Sequence, residues 1–172
     1  MRAALLSILM LVAAPALAQG PLVQSAPAPG NTQIDYPGFQ ALTASVAPRR
    51  AERLLGFAAF KAAAAEPGTL LLDARSRDAF ARGHIAGAVN LPLTDFTADS
   101  LAAVIGADPN RRILIYCNNN FSNHTSPVPL KSAPLALNIQ TFINLAGYGY
   151  ANVHELADVV DFTDPQVGWV AG

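Results

Sequence analysis

The sequence has one cysteine and few charges, and each of these shortages excludes certain structural features or binding partners. Because Cys117 is the only cysteine among the 172 residues, no internal disulfide can form. The formal net charge is −1 and the pI is near 6.2, which argues against a nucleic acid or an anionic membrane surface as a partner. The three histidines lack the clustered spacing of a metal site. The pattern therefore predicts neither a metal nor another cofactor.

Long apolar runs are also missing, except at the N-terminus. Arg2 precedes a nearly unbroken apolar stretch over residues 3–14, and residues 16–18 have the small-x-small pattern of a signal peptidase site. The stretch is shorter than the roughly 20 residues that span a bilayer. We therefore predict a signal peptide over residues 1–18, rather than a retained anchor, with cleavage near Ala18. The mature protein is expected to be periplasmic or secreted, without a stable membrane anchor.

Prolines divide the next part of the chain. We expect residues 19–49 to form a linker, flexible up to Asn31, and then an N-terminal extension. Recurring prolines are expected to break any long element there: Pro21, Pro27, Pro29, Pro37 and Pro48. Four apolar residues indicate that the extension packs on the domain that follows: Ile34, Tyr36, Phe39 and Leu42.

From residue 50 to residue 172, short apolar runs alternate with helical patterns. This alternation predicts one α/β domain, with a mostly parallel five-stranded sheet and helices on both faces. The runs at 69–72 and 111–116 are apolar on both faces, as expected of central parallel strands. Shorter strands are predicted at 53–55, 88–91 and 152–154. Helices are predicted at 57–65, 76–82, 97–105 and from about 132–134 to 147, and residues 156–167 are expected to be irregular.

Cys117 directly follows a predicted central strand, and ligands of open α/β sheets bind beyond the carboxyl ends of the strands. A helix that starts near Ser132 to Pro134 should point its N-terminus at the same edge. Its free N–H groups and its dipole would lower the pKa of a thiol, and the thiolate is the nucleophile. The alternative is a packed cysteine at the end of a strand, since free cysteine is usually buried.

Three stretches resemble the rhodanese-like (sulfurtransferase) family: LLDARS with FARGHIAGAVNLP at 71–76 and 80–92, ILIYC at 113–117, and GYGYANV at 147–153. The resemblance spans roughly residues 50–169. It implies that Cys117 is a catalytic nucleophile that accepts a sulfane sulfur as a persulfide and passes it to a thiophilic acceptor. It also implies an active-site loop whose backbone N–H groups cradle this sulfur: Asn118, Asn119, Asn120, Phe121 and Ser122.

Asp73 and Arg75 leave the end of a strand on the same side. Two interpretations are open: they support the cysteine loop, with Arg75 adding positive potential, or they form an ion pair at a strand–helix junction. His84 lies in a stretch that resembles the family, and we expect it to pack and to form hydrogen bonds rather than to catalyse. His124 and His154 are expected to be surface or hydrogen-bonded residues.

The loop after Cys117 departs from the family pattern. Residues 118–132 exceed the ~2–6 residues of a typical βα connection, so the loop could form a lid, enlarge the pocket or remove the cradle. Related phosphatases close this loop with an arginine that holds a phosphate dianion. No arginine follows Cys117, and the only full cation of the loop is Lys131. Arg111 and Arg112 precede the cysteine by roughly 16–20 Å of strand, which argues against phosphatase activity.

Three functions remain open at this point. The first is an exported sulfurtransferase or persulfide carrier that uses Cys117, with a small sulfur donor, a thiol acceptor or a periplasmic protein as its partner. The second is a non-catalytic rhodanese-like binding module for a periplasmic protein, with the long loop and the N-terminal extension as its surface. The third is thiol redox exchange, for which a second cysteine would have to come from another molecule.

Overall fold

The computed structural model describes residues 33–171. The predicted signal peptide and the predicted flexible linker up to Asn31 lie outside the described residues.

The described chain forms five helices and seven short strands. The helices are α1 (Tyr36–Ala51), α2 (Phe57–Ala64), α3 (Arg77–Arg82), α4 (Ala98–Ile105) and α5 (Leu137–Gly147). The strands are β1 (Leu54–Leu55), β2 (Leu70–Asp73), β3 (His84–Ile85), β4 (Val89–Asn90), β5 (Ile113–Tyr116), β6 (Val153–Leu156) and β7 (Trp169–Val170). The main sheet has the order β1-β6-β5-β2-β4 and is parallel throughout, while β3 and β7 form a separate antiparallel pair. The predicted fold class is confirmed.

Alternation along the two central strands divides the core into two layers. In β5, Ile113 and Ile115 face a cluster that α1, α4 and α5 cover, whereas Leu114 and Tyr116 face a second cluster on the other side. In β2, Leu72 belongs to the first cluster. Successive strand residues point to opposite faces, so the next residue after Tyr116 is directed towards the α5 side. The alternation thereby sets the direction of Cys117.

The expectation that prolines break any long element before the domain is wrong for α1. Pro37 lies in its first turn, where the missing N–H would have no intrahelical partner. Asp35 caps this turn by accepting a hydrogen bond from the N–H of Gly38 at 2.8 Å. Pro48 lies inside α1, but only three residues before its end. Its disruption of the helix therefore falls in the last turn.

The extension packs on the domain as predicted, although through fewer of the predicted residues. A side-chain carbon of Leu42 lies against Gly147 at the end of α5, and Val46 is 2% exposed. In the same helix Arg50, the first residue of the predicted domain, forms an ion pair with Glu155 of β6 at 2.6 Å. Three of the four apolar residues expected to pack stay exposed: Ile34, Tyr36 and Phe39.

The stretch after β6 is irregular as predicted, but it ends in a pairing that the sequence pattern did not reveal. Trp169 of β7 pairs with Ile85 of β3, and its indole stacks on Phe162 with ring centroids 5.1 Å apart. A Cβ added to Gly83 would lie 2.4 Å from the indole nitrogen. The absence of a side chain at Gly83 therefore leaves the space that Trp169 occupies.

Candidate functional site

Cys117 lies at the carboxyl end of β5, the middle strand of the main sheet, as the sequence predicts. Its residue surface is 1% exposed, and its thiol is free. The strand that delivers it is buried on both faces, which fixes the position of the backbone. The thiol is therefore both at the ligand-binding edge and inside the protein.

The first turn of the loop directs a backbone N–H group at this sulfur. Residues Asn118–Asn120 form a single 3-10 turn, and Cys117 occupies its N-cap position. The N–H of Asn119 points at the Sγ atom, whereas the N–H of Asn120 donates to the carbonyl oxygen of Cys117 at 3.1 Å. The half of the cradle that the predicted loop makes therefore consists of the N–H of Asn119.

Helix α5 supplies the other half of the cradle. The predicted start near residues 132–134 is wrong by a few residues, because a 3-10 turn at Ala133–Leu135 precedes the helix, which begins at Leu137. The N-cap residue Ala136 has no side-chain acceptor to offer, so the first N–H groups of the helix need another partner. The N–H groups of Leu137 and Asn138 are directed at Cys117. The sulfur thus takes the place of a helix cap.

Burial decides the pKa of the thiol. Desolvation raises the pKa of Cys117 above its ordinary value, and the negative charge of Glu155 acts in the same direction. The N–H groups of Asn138, Asn119 and Leu137 lower it by a smaller amount. The expected lowering contributions are present, but the predicted net direction is wrong because the charged form loses its hydration.

Asn120 holds the two halves of the cradle together. Its Oδ1 atom accepts hydrogen bonds from the backbone N–H of Cys117 and from Nδ2 of Asn138, both at 2.9 Å. Its Nδ2 atom donates to the carbonyl oxygens of Leu156 at 2.8 Å and Asp158 at 3.1 Å. One buried amide therefore links β5, α5 and the end of β6 around the cysteine.

Phe121 and Ser122, which the resemblance places in the active-site loop, use their N–H groups elsewhere. The N–H of Phe121 donates to the carbonyl of Asn118, and that of Ser122 to the carbonyl of Val160. The ring of Phe121 is fully buried in the cluster on the opposite side of the sheet from α5. The role of these two residues in binding stays a prediction.

The rest of the loop keeps the cradle instead of removing it. Asn119 and Lys131 join its two ends by a pair of hydrogen bonds between the Asn119 side chain and the Lys131 backbone, at 2.8 and 3.1 Å. Between them the chain inserts Val128, which is fully buried, into the second cluster. The loop therefore makes an excursion under the opposite face of the sheet.

Asp73 and Arg75 form a buried ion pair at 2.6 Å, with side chains 0% and 2% exposed. Burial and the charge of Asp73 raise the pKa of Tyr116 well above its ordinary value, and its hydroxyl donates to Asp73 at 2.6 Å. Arg75 also donates to the carbonyl of Pro127 at 3.3 Å, which attaches the loop excursion. A contact therefore supports each interpretation. The two residues form an ion pair at a strand–helix junction, and Arg75 also contacts the cysteine loop at Pro127.

Arg75 is directed to the side of the sheet opposite α5, and its contribution to the potential at the thiol stays a prediction. Arg75 packs over the rings of Tyr116 and Trp169, and these rings belong to the cluster on the opposite side from α5. Besides burial, the groups that shift the pKa of Cys117 include the N–H groups of Asn119, Leu137 and Asn138 and the charge of Glu155. The alternation along β5 places Cys117 on the same face as Ile115 and not on the face of Tyr116. This pattern in the sequence indicates that Cys117 and Arg75 lie on opposite sides of the sheet.

The histidines lie where the sequence analysis expects them. His84 stacks on Phe80 with ring centroids 3.7 Å apart and bonds the carbonyl oxygen of that residue. His124 is exposed, and His154 contacts Asn152. Within residues 33–171, no group of three or more His, Cys, Asp or Glu side chains is arranged to hold a metal ion.

Three buried polar atoms near the start of α5 and the loop lack a hydrogen-bond partner: Oδ1 of Asn118, Oδ1 of Asn138 and Oγ1 of Thr141. The sequence analysis missed Asn138 and Thr141, and it also missed the Tyr116 hydroxyl. A signal existed for the first two, because they interrupt the apolar stripe of a helix whose other inward residues are hydrophobic. Buried polar side chains in such a stripe indicate a site or a hydrogen-bond network.

Within the described residues, every helix falls short of the length or the hydropathy that a membrane span requires.

A family model described as Rhodanese-like domain matches residues 57–158. Similar solved structures include the rhodanese-like domain of an Anabaena sp. protein, with 22% identity, a TM-score of 0.44 and coverage of 60% of this chain and 67% of that one. A rhodanese with anions from E. coli is also 22% identical, with a TM-score of 0.39 over 60% of this chain and 99% of that one. No curated protein matches the chain.

Proposed function

The chain belongs to the rhodanese-like domain family, and we propose that it is an exported sulfurtransferase or persulfide carrier that accepts a sulfane sulfur on Cys117. The observation that carries the proposal is the convergence of three backbone N–H groups on one sulfur atom: those of Asn119, Leu137 and Asn138. Such an arrangement stabilises an anion without a full positive charge nearby.

The transfer can be written with thiosulfate as the donor. The Cys117 thiolate attacks the outer sulfur of thiosulfate, an S–S bond to the protein forms, and the S–S bond of thiosulfate breaks with sulfite as the leaving group. A thiophilic acceptor such as cyanide then attacks the terminal sulfur, leaves as thiocyanate and returns the thiolate. In both steps the N–H groups around Cys117 hold a negative sulfur.

Phosphate chemistry fits this site poorly. A phosphate dianion is usually held by an arginine that binds two of its oxygens, but no arginine follows Cys117 in the sequence. Arg111, which precedes it, donates to the carbonyl oxygens of Gly68 and Ile105. A neutral cradle suits the lower charge density of a persulfide.

Intact-mass analysis tests the proposal. After incubation with thiosulfate, the protein should gain one sulfur atom, which cyanide removes, and the Cys117→Ser variant should gain none. A second donor such as polysulfide controls for donor preference. The proposal fails if Cys117 is alkylated by a small reagent, and is therefore accessible, yet takes sulfur from neither donor.

The near-complete burial of Cys117 favours a second candidate, a non-catalytic rhodanese-like module that binds a periplasmic protein. A residue that is 1% exposed can serve as a packed side chain. In that case Cys117→Ser keeps the partner and the cellular phenotype of the wild type. Loss of the phenotype in Cys117→Ser, with the fold intact by circular dichroism, rules the module out.

Export is part of the same proposal. We expect signal peptidase to cut near Ala18 and to release the domain into the periplasm or the medium. The support is the sequence pattern of residues 1–18. N-terminal sequencing of the protein from fractionated cells measures it directly, and a product that begins at Met1 in the cytoplasmic fraction contradicts export.

A further inference from the structure

A concave site lies at the edge of the sheet opposite Cys117. It is a pocket of about 510 Å³ in the chain segments that lead into β1, β5 and β6, since parallel strands begin at one edge. We call it the amino-edge pocket, and seven residues line it: Ser45, Pro48, Arg49, Glu52, Arg53, Asn110 and Ala151. Two of the seven are arginines, so the pocket presents guanidinium groups to whatever enters it.

Arg53 is held in place by neutral groups. Its guanidinium donates to Oδ1 of Asn152 at 3.1 Å and contacts Nε2 of His154 at 3.0 Å. Its charge also lowers the pKa of His154, after the larger effect of burial, and Arg112 adds to this lowering. The imidazole is therefore kept neutral, and the positive charge of Arg53 has no anionic neighbour among these contacts.

Arg49 lies in the same pocket and is partly buried. Burial lowers the pKa of its guanidinium, and the nearby charge of Arg53 lowers it further. Two neighbouring arginines of the described chain have carboxylate partners: Arg50 pairs with Glu155, and Arg112 pairs with Glu66. The two arginines of the pocket repel each other and have no such carboxylate partner among the described residues.

Glu52 lines the pocket too, but it does not neutralise the two arginines. Within residues 33–171, no carboxylate oxygen lies within the 4.0 Å of an ion pair from Arg49 or Arg53. Two guanidinium groups and one carboxylate leave the pocket with a net positive charge. Partly buried cations without a partner are costly, and an anion in the pocket would remove that cost.

We propose that the amino-edge pocket binds a compact oxyanion group with two negative charges, a sulfate or a phosphate. Guanidinium groups suit such oxygens because they donate several hydrogen bonds in one plane. Asn110 adds an amide to the lining. The concave shape, to which Pro48 and Ala151 also contribute, favours a compact group over an extended acidic peptide. This site is separate from the sulfur chemistry of Cys117 and does not depend on it.

Amide NMR spectra recorded during titration with sodium sulfate test the proposal, with sodium chloride at equal ionic strength as the reference. Sodium phosphate and glycerol phosphate form two further arms, because tighter binding of the ester than of inorganic phosphate would identify a group on a larger molecule. We expect saturable shifts at Arg49, Arg53 and Asn152 with sulfate and with phosphate and none with chloride. The signals of Asn119 and Asn138 report on Cys117, and Cys117→Ser should leave the amino-edge shifts unchanged.

Arg49→Gln is the decisive variant, because no hydrogen bond shown by the structure is lost with it. Loss of one charged donor should weaken sulfate binding at least about tenfold. Arg77→Gln removes an equal charge from exposed α3 and should leave the affinity unchanged. Equal binding by Arg49→Gln and wild type, shifts confined to Asn119 and Asn138, or binding of an acidic peptide but not of sulfate would each overturn the proposal.

Discussion

The two edges of the main sheet manage charge in opposite ways. At the carboxyl edge, Asp73 and Arg75 neutralise each other inside the protein, and the donors around Cys117 are neutral N–H groups. At the amino edge, Arg49 and Arg53 keep their charges without a carboxylate partner among the described residues. An anion at the first edge has to be stabilised by dipoles in a dry environment, whereas an anion at the second would meet full charges beside water.

The largest effect on stability is expected from a substitution that removes the charge balance at the carboxyl edge. Asp73→Asn leaves Arg75 buried without a counter-charge, and we expect the free energy of unfolding to fall by about 3–5 kcal/mol, as measured by urea denaturation. Asp95→Asn is the matched control, because it breaks the exposed pair with Arg77 and should change stability little. Equal losses in the two variants would contradict the difference between buried and exposed pairs.

A somewhat smaller effect is expected where the cradle is joined. Asn120→Ala removes the amide that connects Cys117, Asn138 and the end of β6, leaving buried groups without partners. We expect a loss of about 2–3 kcal/mol in unfolding free energy and a slower sulfur loading of Cys117. The control Asn119→Ala cuts only the exposed bonds to Lys131 and should cost about 0.5 kcal/mol. An unchanged rate of sulfur loading in Asn120→Ala would show that the Asn120 amide does not contribute to the reaction of Cys117.

The third prediction concerns the pH at which Cys117 reacts. Burial raises the pKa of its thiol above the ordinary value of 9.0, and only the thiolate reacts. Below that pKa the alkylation rate should rise about tenfold per pH unit, and it should still be rising at pH 9.0 in the folded protein. The same chain in urea should reach its plateau at a lower pH. A plateau of the folded protein below that of the unfolded chain would mean that the N–H groups outweigh burial.

The smallest expected effect lies at the amino edge. In the absence of sulfate, Arg49→Gln removes a cation that Arg53 repels, so the unfolding free energy should change by no more than about 0.5 kcal/mol. With saturating sulfate, the wild type should gain stability and the variant should not. Thermal denaturation at matched ionic strength measures both. A marked loss of stability without sulfate would show that Arg49 serves the C-terminal end of α1 instead.

The parts of the fold that could be predicted from the sequence are those that local residue patterns determine. The doubly apolar runs identified β2 and β5, Ser76 and Gly83 marked the ends of α3, and together they placed Cys117 at the correct edge. The parts it missed depend on distant partners. Nothing near Trp169 shows that it pairs with β3, and nothing near Phe121 shows that its ring enters the far cluster.

Two errors have physical causes that act on individual residues. Pro48 indicated the absence of a long helix, but the position of a proline within a helix decides its cost, and this one falls in the last turn of α1. The pKa of Cys117 was expected to fall because the sequence shows a helix start whose N–H groups can donate hydrogen bonds to the thiolate. Desolvation, which raises it, depends on how deeply the whole chain covers the sulfur.

The hydrogen bonds between Asn119 and Lys131 divide the connection from β5 to α5 into two parts. The part outside them, together with Asn120, surrounds the cysteine, and the rest of the chain between them lies on the far face, where Phe121 and Val128 are buried. Because the entropy of closing a ring grows only slowly with its length, residues could be added at its exposed positions 124–126 at little cost. The connection can therefore vary in length and sequence on one side while the surroundings of Cys117 stay constant on the other.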